Sequence, residues 1–198
     1  MKFRDYQDTI VIELKKFDLS IANKKVRWSY KKAEKNGVML SKTTLTELRD
    51  IHEIILQHGE DNHYNGYSRD RLFQSFLKDN MFTCYYEGMI IGCLILCKTG
   101  ELEMKVDTCV VNPKYKHLEV YTYLWVKGIE YAKAMGMYLL DLGGIYVDPS
   151  PKTKYYNITK FKERLGGKVV RKDLYYTNPF YVVCRKVMRY CKRKGYVK

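Results

Sequence analysis

Hydrophobic and polar positions along the chain change repeatedly between two spacings, one typical of helices and one typical of strands. Alternating or continuous apolar runs predict strands, and apolar residues three or four positions apart predict helices. The predicted elements are, in order, strand 9–14, helix 24–35, strand 38–40, helices from residue 45 and over 68–78, strands 81–87, 89–98 and 101–111, helix 118–135, strand 137–142, helix 157–165, strands 168–172 and 174–177, and a helix from residue 179.

The order of these elements predicts the fold class. The three strands between residues 81 and 111 are joined by tight connections at Gly88 and Thr99-Gly100, which predicts an antiparallel meander. The strand–helix crossovers that follow predict an α/β fold, with an α+β mixed sheet and helices on both faces. The predicted parts are an N-terminal strand and basic helix arm (1–40), one domain (41–180) and a basic C-terminal helix or tail (181–198).

The charge balance narrows the class of partner. With 36 basic and 22 acidic residues among 198, the net charge is +14. Residues 185–198 hold seven basic residues and no acidic one. This balance favours an anionic partner, such as a phosphate-rich cofactor, RNA or an acidic membrane face.

Other residue patterns bear on location, redox state and metals. No apolar run approaches the roughly 20 residues that span a bilayer, and residues 1–5 are too polar for a signal peptide. We expect a soluble cytoplasmic protein, with peripheral contact at the inner membrane face as a further hypothesis. The six cysteines are interpreted as reduced. His52, His58 and His63 match no common zinc spacing, so no metal site is predicted.

Three segments resemble the motifs of a known family. They are RWSYKKAEKNGV at 27–38, LLDLGGI at 139–145 and ITKFKERLGG at 158–167. In order and spacing they resemble the Arg-x-x-x-x-Lys-Ala-x-Lys-x-Gly-Val, Asp-aromatic/Leu-Gly-Gly-Ile and Ile-x-x-Phe-Lys-x-x-Phe-Gly-Gly segments of Fem-type (FemABX-like) peptidyltransferases. Leu165 replaces the usual Phe. The element order likewise resembles the GNAT acyltransferase architecture.

The resemblance implies a single-domain, GNAT-like acyltransferase fold, similar to the C-terminal half of Fem-type enzymes, which carry two such domains in tandem. Those enzymes add amino acids from aminoacyl-tRNA to peptidoglycan precursors. The implied activity is transfer of an aminoacyl or acyl group to a primary amine of a cell-envelope or glycan precursor. The implied acceptor is an amine-bearing sugar or peptide. Two alternatives stay open: an acetyl-CoA-dependent amino-sugar N-acetyltransferase, and a non-catalytic RNA- or envelope-binding protein.

Lys162 and Asp141 are the candidate catalytic residues. By resemblance, Lys162 lies where Fem-type enzymes place a lysine beside the reacting carbonyl. Its charge there would stabilise the oxyanion or hold a carboxylate or phosphate of the acceptor; the alternative is a solvated lysine on an amphipathic helix. Asp141 ends a buried strand and would accept a proton or orient the amine; the alternative is a bond to the amides of the Gly143-Gly144 turn. Tyr146 and Tyr176 are further acid candidates.

Several basic residues and the two glycines are candidates for donor or phosphate binding. Gly143 and Gly144 permit a sharp turn or close approach of a ligand. Arg27 and Lys31 belong to a basic stripe with interleaved aromatic residues, which suits phosphates or RNA and equally a solvated face. Lys114 and Lys116 lie where typical GNAT enzymes carry a glycine-rich CoA loop, and residues 113–120 contain no glycine. This favours aminoacyl-tRNA as the donor and keeps acetyl-CoA as the alternative.

Overall fold

The computed structural model describes residues 3–62, 68–78, 80–145, 154–176 and 179–194. The strands are β1 (Phe3–Glu13), β2 (Met39–Lys42), β3 (Met81–Tyr86), β4 (Met89–Lys98), β5 (Glu103–Val111), β6 (Leu139–Gly144) and β7 (Lys168–Tyr176). The α-helices are α1 (Lys24–Lys35), α2 (Leu48–Asn62), α3 (Arg69–Phe76), α4 (Val120–Ala134), α5 (Lys154–Arg164) and α6 (Pro179–Lys194). A 3₁₀ helix, Pro113–Leu118, precedes α4.

The strands form one seven-stranded sheet in the order β2-β3-β4-β5-β6-β1-β7. The β5–β6 pair is parallel and the other neighbouring pairs are antiparallel. This confirms the predicted mixed sheet and its central meander, β3-β4-β5. β1 lies between β6 and β7, so the described part of the predicted N-terminal arm is built into the sheet.

Three element boundaries differ from the sequence prediction. The two predicted closing strands are one strand, β7, and β1 begins at Phe3 instead of at residue 9. The polar residues of both strands hide this alternation, but every residue from 168 to 176 has a partner on β1, from Val11 back to Phe3. Helix α5 begins at Lys154, and Asn157 lies inside it rather than capping it, because no glycine or proline interrupts residues 152–157.

Helices cover both faces of the sheet because the apolar strand β4 presents side chains to two cores. Leu94 and Leu96 join the larger core with α1 and α4, while Cys93 and Ile95 join a smaller core with α2 and α3. The period-two alternation of a strand places successive side chains on opposite faces. The six cysteines are free thiols, and Cys84 and Cys93 are buried in this way.

The parallel strands β5 and β6 pair over a short length only. Their register runs from Glu103 opposite Leu139 to Lys105 opposite Asp141, while β5 continues to Val111. A bulge accompanies the separation: Val106 pairs with Leu96 and Thr108 with Ile95, so Asp107 is the extra residue. Bulges bend a strand and redirect its side chains. The separation therefore opens the sheet at the carboxyl ends of its two parallel strands.

Gly92 tests how tightly β4 and β5 pack beside this bulge. A Cβ at Gly92 would lie 2.6 Å from the carbonyl oxygen of Val110, a backbone atom. We expect Gly92→Ala to lower the free energy of unfolding by about 1–3 kcal/mol, measured by urea denaturation. Gly100→Ala is the control, because its nearest contact would be an ordinary 3.5 Å to Glu103. Equal stabilities for the two variants would show that the strand pair yields.

Candidate active site

A cavity of about 380 Å³ lies where β5 and β6 separate. Its walls come from β5, from the end of β6, from α5 and from the last described turn of α2. The cavity is lined by residues 107–110, Gly144, Ile145, Ile158, Thr159, Lys162 and His58. Ligands of open α/β sheets bind outside the carboxyl ends of parallel strands, so the cavity has the expected position for a substrate site.

Lys162 is buried beside this cavity. Its side chain belongs to the inner face of α5, and only 7% of the residue is exposed, which excludes the solvated-lysine alternative. Nζ donates hydrogen bonds to the carbonyl oxygens of Gly143 at 3.1 Å and Gly144 at 3.0 Å. Nζ also lies 5.8 Å from the ring centroid of Trp125, in cation–π range.

The surroundings of Lys162 make its proton easier to lose. Burial lowers its pKa from the ordinary 10.5 to about 8, with Asp141 opposing the shift and Lys105 adding to it. Desolvation disfavours the charged form of an amine. Most molecules still carry the proton at neutral pH. An ammonium has three N–H donors, and the two glycine carbonyls use two of them. The third is available to an oxygen atom in the cavity.

Asp141 lies behind this lysine, and its carboxylate is engaged on both oxygens. Oδ1 accepts hydrogen bonds from the Gly143 amide at 2.7 Å and from the Thr9 hydroxyl. Oδ2 lies 3.0 Å from Nζ of Lys172. Asp141 is 6% exposed and is absent from the described cavity lining. These bonds hold the Gly143-Gly144 turn, the alternative weighed from the sequence, and so fix the carbonyls that bind Lys162.

Both glycines of this turn are required by its geometry. Gly143 has φ +84°, a left-handed conformation that L side chains rarely adopt. At Gly144, a Cβ would lie 1.7 Å from Nε2 of Gln7. A side chain at either position would therefore displace the carbonyl groups that hold Lys162.

Two further polar residues of the cavity were missed by sequence reasoning. Thr159 is one helical turn before Lys162 and 4% exposed, and its hydroxyl has no hydrogen-bond partner among the described residues. Asp107 is the bulged residue of β5; burial raises its pKa, and Arg71 lies 3.5 Å away. The i, i+3 spacing of Thr159 and Lys162 was the available signal for the first. No sequence signal identifies the bulge.

The predicted donor-binding residues lie elsewhere. Lys114 and Lys116 are exposed on the 3₁₀ helix before α4, and Lys31 is exposed on α1. The Arg27 guanidinium donates to the carbonyl oxygens of Ser20 at 2.6 Å and Ala22 at 2.7 Å. None of the four appears in the described lining of the cavity. The structure thus brings together Lys162, Asp141, Gly143 and Gly144 and leaves the basic candidates outside.

Other candidates fall at or beyond the described residues. Tyr146 and His63 lie outside them, and the side chain of Tyr176 is likewise not described. Within the ranges that the structure describes, no cluster of three or more His, Cys, Asp or Glu residues has the arrangement of a metal site.

The sheet order, the separation of β5 and β6 and the flanking helices define a GNAT-like acyltransferase fold. Among solved structures, FemX is similar with a TM-score of 0.72 and 13% identity over 89% of this chain. L-PGS from Bacillus licheniformis has a TM-score of 0.67 and 14% identity over 97% of this chain. An acetyltransferase of the GNAT family from Staphylococcus aureus Mu50 has a TM-score of 0.53 and 14% identity over 65% of this chain and 83% of its own.

These similarities confirm the predicted fold and its likeness to Fem-type proteins. The chain spans 63% of the length of FemX and 67% of that of L-PGS. No protein-family profile matches the chain, and no curated protein sequence matches it.

Lys162 also makes stability depend on pH. Between pH 8 and 10.5 the unfolded chain keeps a proton that the folded protein has lost, so stability rises with pH in this window. We expect wild type to gain about 2 kcal/mol between about pH 7.5 and about pH 9.5, relative to Lys162→Met. Urea denaturation of both proteins at both pH values measures this difference. Parallel pH dependences would mean that Lys162 titrates normally.

Proposed function

We propose that this chain is an N-acyltransferase that moves an aminoacyl or acyl group from an activated ester or thioester to a primary amine. The observation that carries the proposal is the buried Lys162, held by two carbonyl groups with its third N–H donor available to the cavity. A preorganised donor in a site of low dielectric is the device that stabilises an oxyanion. The GNAT-like fold supports the same reaction class by analogy.

The step follows from this geometry. The neutral amine nitrogen attacks the acyl carbonyl carbon, a C–N bond forms, and the carbonyl electron pair moves onto oxygen. Lys162 donates its remaining N–H to that oxyanion. Collapse breaks the C–O bond of an ester donor or the C–S bond of a thioester donor. The amine loses one proton and the departing hydroxyl or thiol gains one, so the step is balanced. Asp141 acts as a positioning residue, because it reaches Lys162 through the Gly143-Gly144 turn.

Aminoacyl-tRNA is the proposed donor, and a cell-envelope or glycan amine is the proposed acceptor. The net charge of +14 suits a polyanion, and the turn before α4 is a 3₁₀ helix instead of a glycine-rich loop. Acetyl-CoA with an amino sugar is the second candidate. It is favoured by the exposed Lys114 and Lys116 immediately before α4, which suit phosphate groups.

Lys162→Met tests the catalytic role. We expect turnover to fall about 100- to 1,000-fold with the fold retained, because the oxyanion loses its donor. The assay follows transfer of labelled acyl groups from aminoacyl-tRNA and, separately, from acetyl-CoA to primary amines. Lys160→Met is the matched control: Lys160 is two residues away on α5 and pairs with Glu163 at the surface. Unchanged turnover in Lys162→Met would remove Lys162 from the mechanism, and wild type inactive with both donors would favour the binding-only reading.

The pH profile separates a positive charge from a general base. If the ammonium form is the active one, the wild-type rate falls as pH rises through about 8, where Lys162 loses its proton. Lys162→Arg keeps its charge at every accessible pH, so its residual activity has no such decline. A decline at the same pH in both proteins would place the titrating group elsewhere.

We also propose peripheral contact of α6 with an anionic membrane. Val183, Val187 and Tyr190 share one face of this helix and are each more than half exposed, in a segment rich in basic residues. Such helices lie in the lipid interface. Among the described residues, no helix has the length and apolar character to cross a bilayer.

Vesicle sedimentation measures this contact. We expect binding to vesicles of anionic lipid and about tenfold weaker binding by Val183→Glu/Val187→Glu, because a charge replaces buried apolar area. Val169→Glu is the control, since Val169 is an exposed apolar residue on β7. Equal binding by all three proteins would contradict a role for α6, and binding of tRNA instead would assign the basic segment to the donor.

A further inference from the structure

A second cavity, of about 270 Å³, adjoins the candidate active site. Gly144 and Ile145 line both cavities, so the two meet at the end of β6. The second cavity also receives Gln7 and Asp8 from β1 and Arg185 and Arg189 from α6. The volume is smaller than that of a typical ligand pocket, which suits one group of a substrate better than a whole ligand.

Helix α6 turns its arginines toward the protein and apolar residues toward solvent. Arg185 and Arg189 are four residues apart and lie on one face, with the buried Val182 close by on the same face. Val183 and Val187 are 57% and 55% exposed. A helix packed on a core ordinarily has the opposite arrangement. The inward arginines therefore call for a reason other than packing.

Charge in the second cavity favours an anion. Asp8 is the one acidic residue in its described lining, and its Oδ1 accepts a hydrogen bond from Nε of Arg171 at 3.1 Å. Two guanidinium groups in the same lining leave the wall positive. Guanidinium groups bind phosphate and carboxylate groups through paired hydrogen bonds and are more weakly hydrated than ammonium groups.

We infer that Arg185 and Arg189 form a subsite for a phosphate group of the substrate, directly beside the reacting centre. This inference rests on the proposed acyl transfer for its role, although binding of phosphate does not depend on turnover. The phosphate belongs either to the donor nucleotide or to a phosphorylated amine acceptor. Both sources present the same oxyanion to the two arginines.

Binding of inorganic pyrophosphate tests the subsite without requiring activity. Calorimetry on the full chain at low salt is expected to show saturable binding, weakened at least tenfold in Arg185→Gln/Arg189→Gln. Lys186→Gln is the matched control, because Lys186 lies between the two arginines in sequence and is exposed. Arg189→Lys keeps the charge and loses the paired geometry, so we expect intermediate affinity. Absence of binding by wild type, or equal binding by the folded double variant, overturns the inference.

Steady-state kinetics identify the source of the phosphate. With acetyl-CoA as donor, glucosamine and glucosamine 6-phosphate are compared as acceptors in wild type and in the double variant. A phosphate from the acceptor predicts that only the KM for glucosamine 6-phosphate rises, at least tenfold. A phosphate from the donor predicts that the KM for acetyl-CoA rises with either acceptor. Unchanged KM values in an active double variant overturn the substrate role. If wild type turns over neither acceptor, the proposed reaction fails with these substrates and the pyrophosphate measurement still decides the subsite.

Discussion

An ammonium group buried against two peptide carbonyls is the interaction on which the candidate site depends. Lys162 keeps its charge in a place that disfavours charge because Gly143 and Gly144 supply acceptors at 3.1 and 3.0 Å. Burial alone would neutralise the amine, and acceptors without burial would leave an ordinary surface lysine. The combination gives a proton donor with a pKa of about 8 at the wall of a cavity.

The sheet explains why those two carbonyls are where they are. β5 and β6 pair only as far as Lys105 and Asp141, and the bulge at Asp107 begins directly afterwards. The Asp141 carboxylate then holds the Gly143 amide, and Lys172 and Thr9 hold the carboxylate from the β7 and β1 sides. Three strands therefore fix one turn, and the turn fixes the lysine.

Much of the fold was predictable because its strongest signals are local. β4 is a continuous apolar run and α1 a clear amphipathic helix, and both have the predicted boundaries. The closing strand was not predictable as one element, since its pairing with β1 spans residues more than 150 positions apart in sequence. Lys162 and Asp141 came from motif resemblance. Thr159, Asp107 and the inward arginines of α6 depend on tertiary placement, which residue spacing does not encode.

The most direct measurement is NMR titration of protein carrying ¹³Cε-labelled lysine, with the Lys162 signal assigned through Lys162→Arg. One signal is expected to titrate near pH 8, well apart from the other lysines, and to move when an acyl donor such as acetyl-CoA or an aminoacylated tRNA end is added. A Lys162 signal that titrates near 10.5 with the rest, or that ignores both donors, would contradict a lysine poised at the reacting carbonyl.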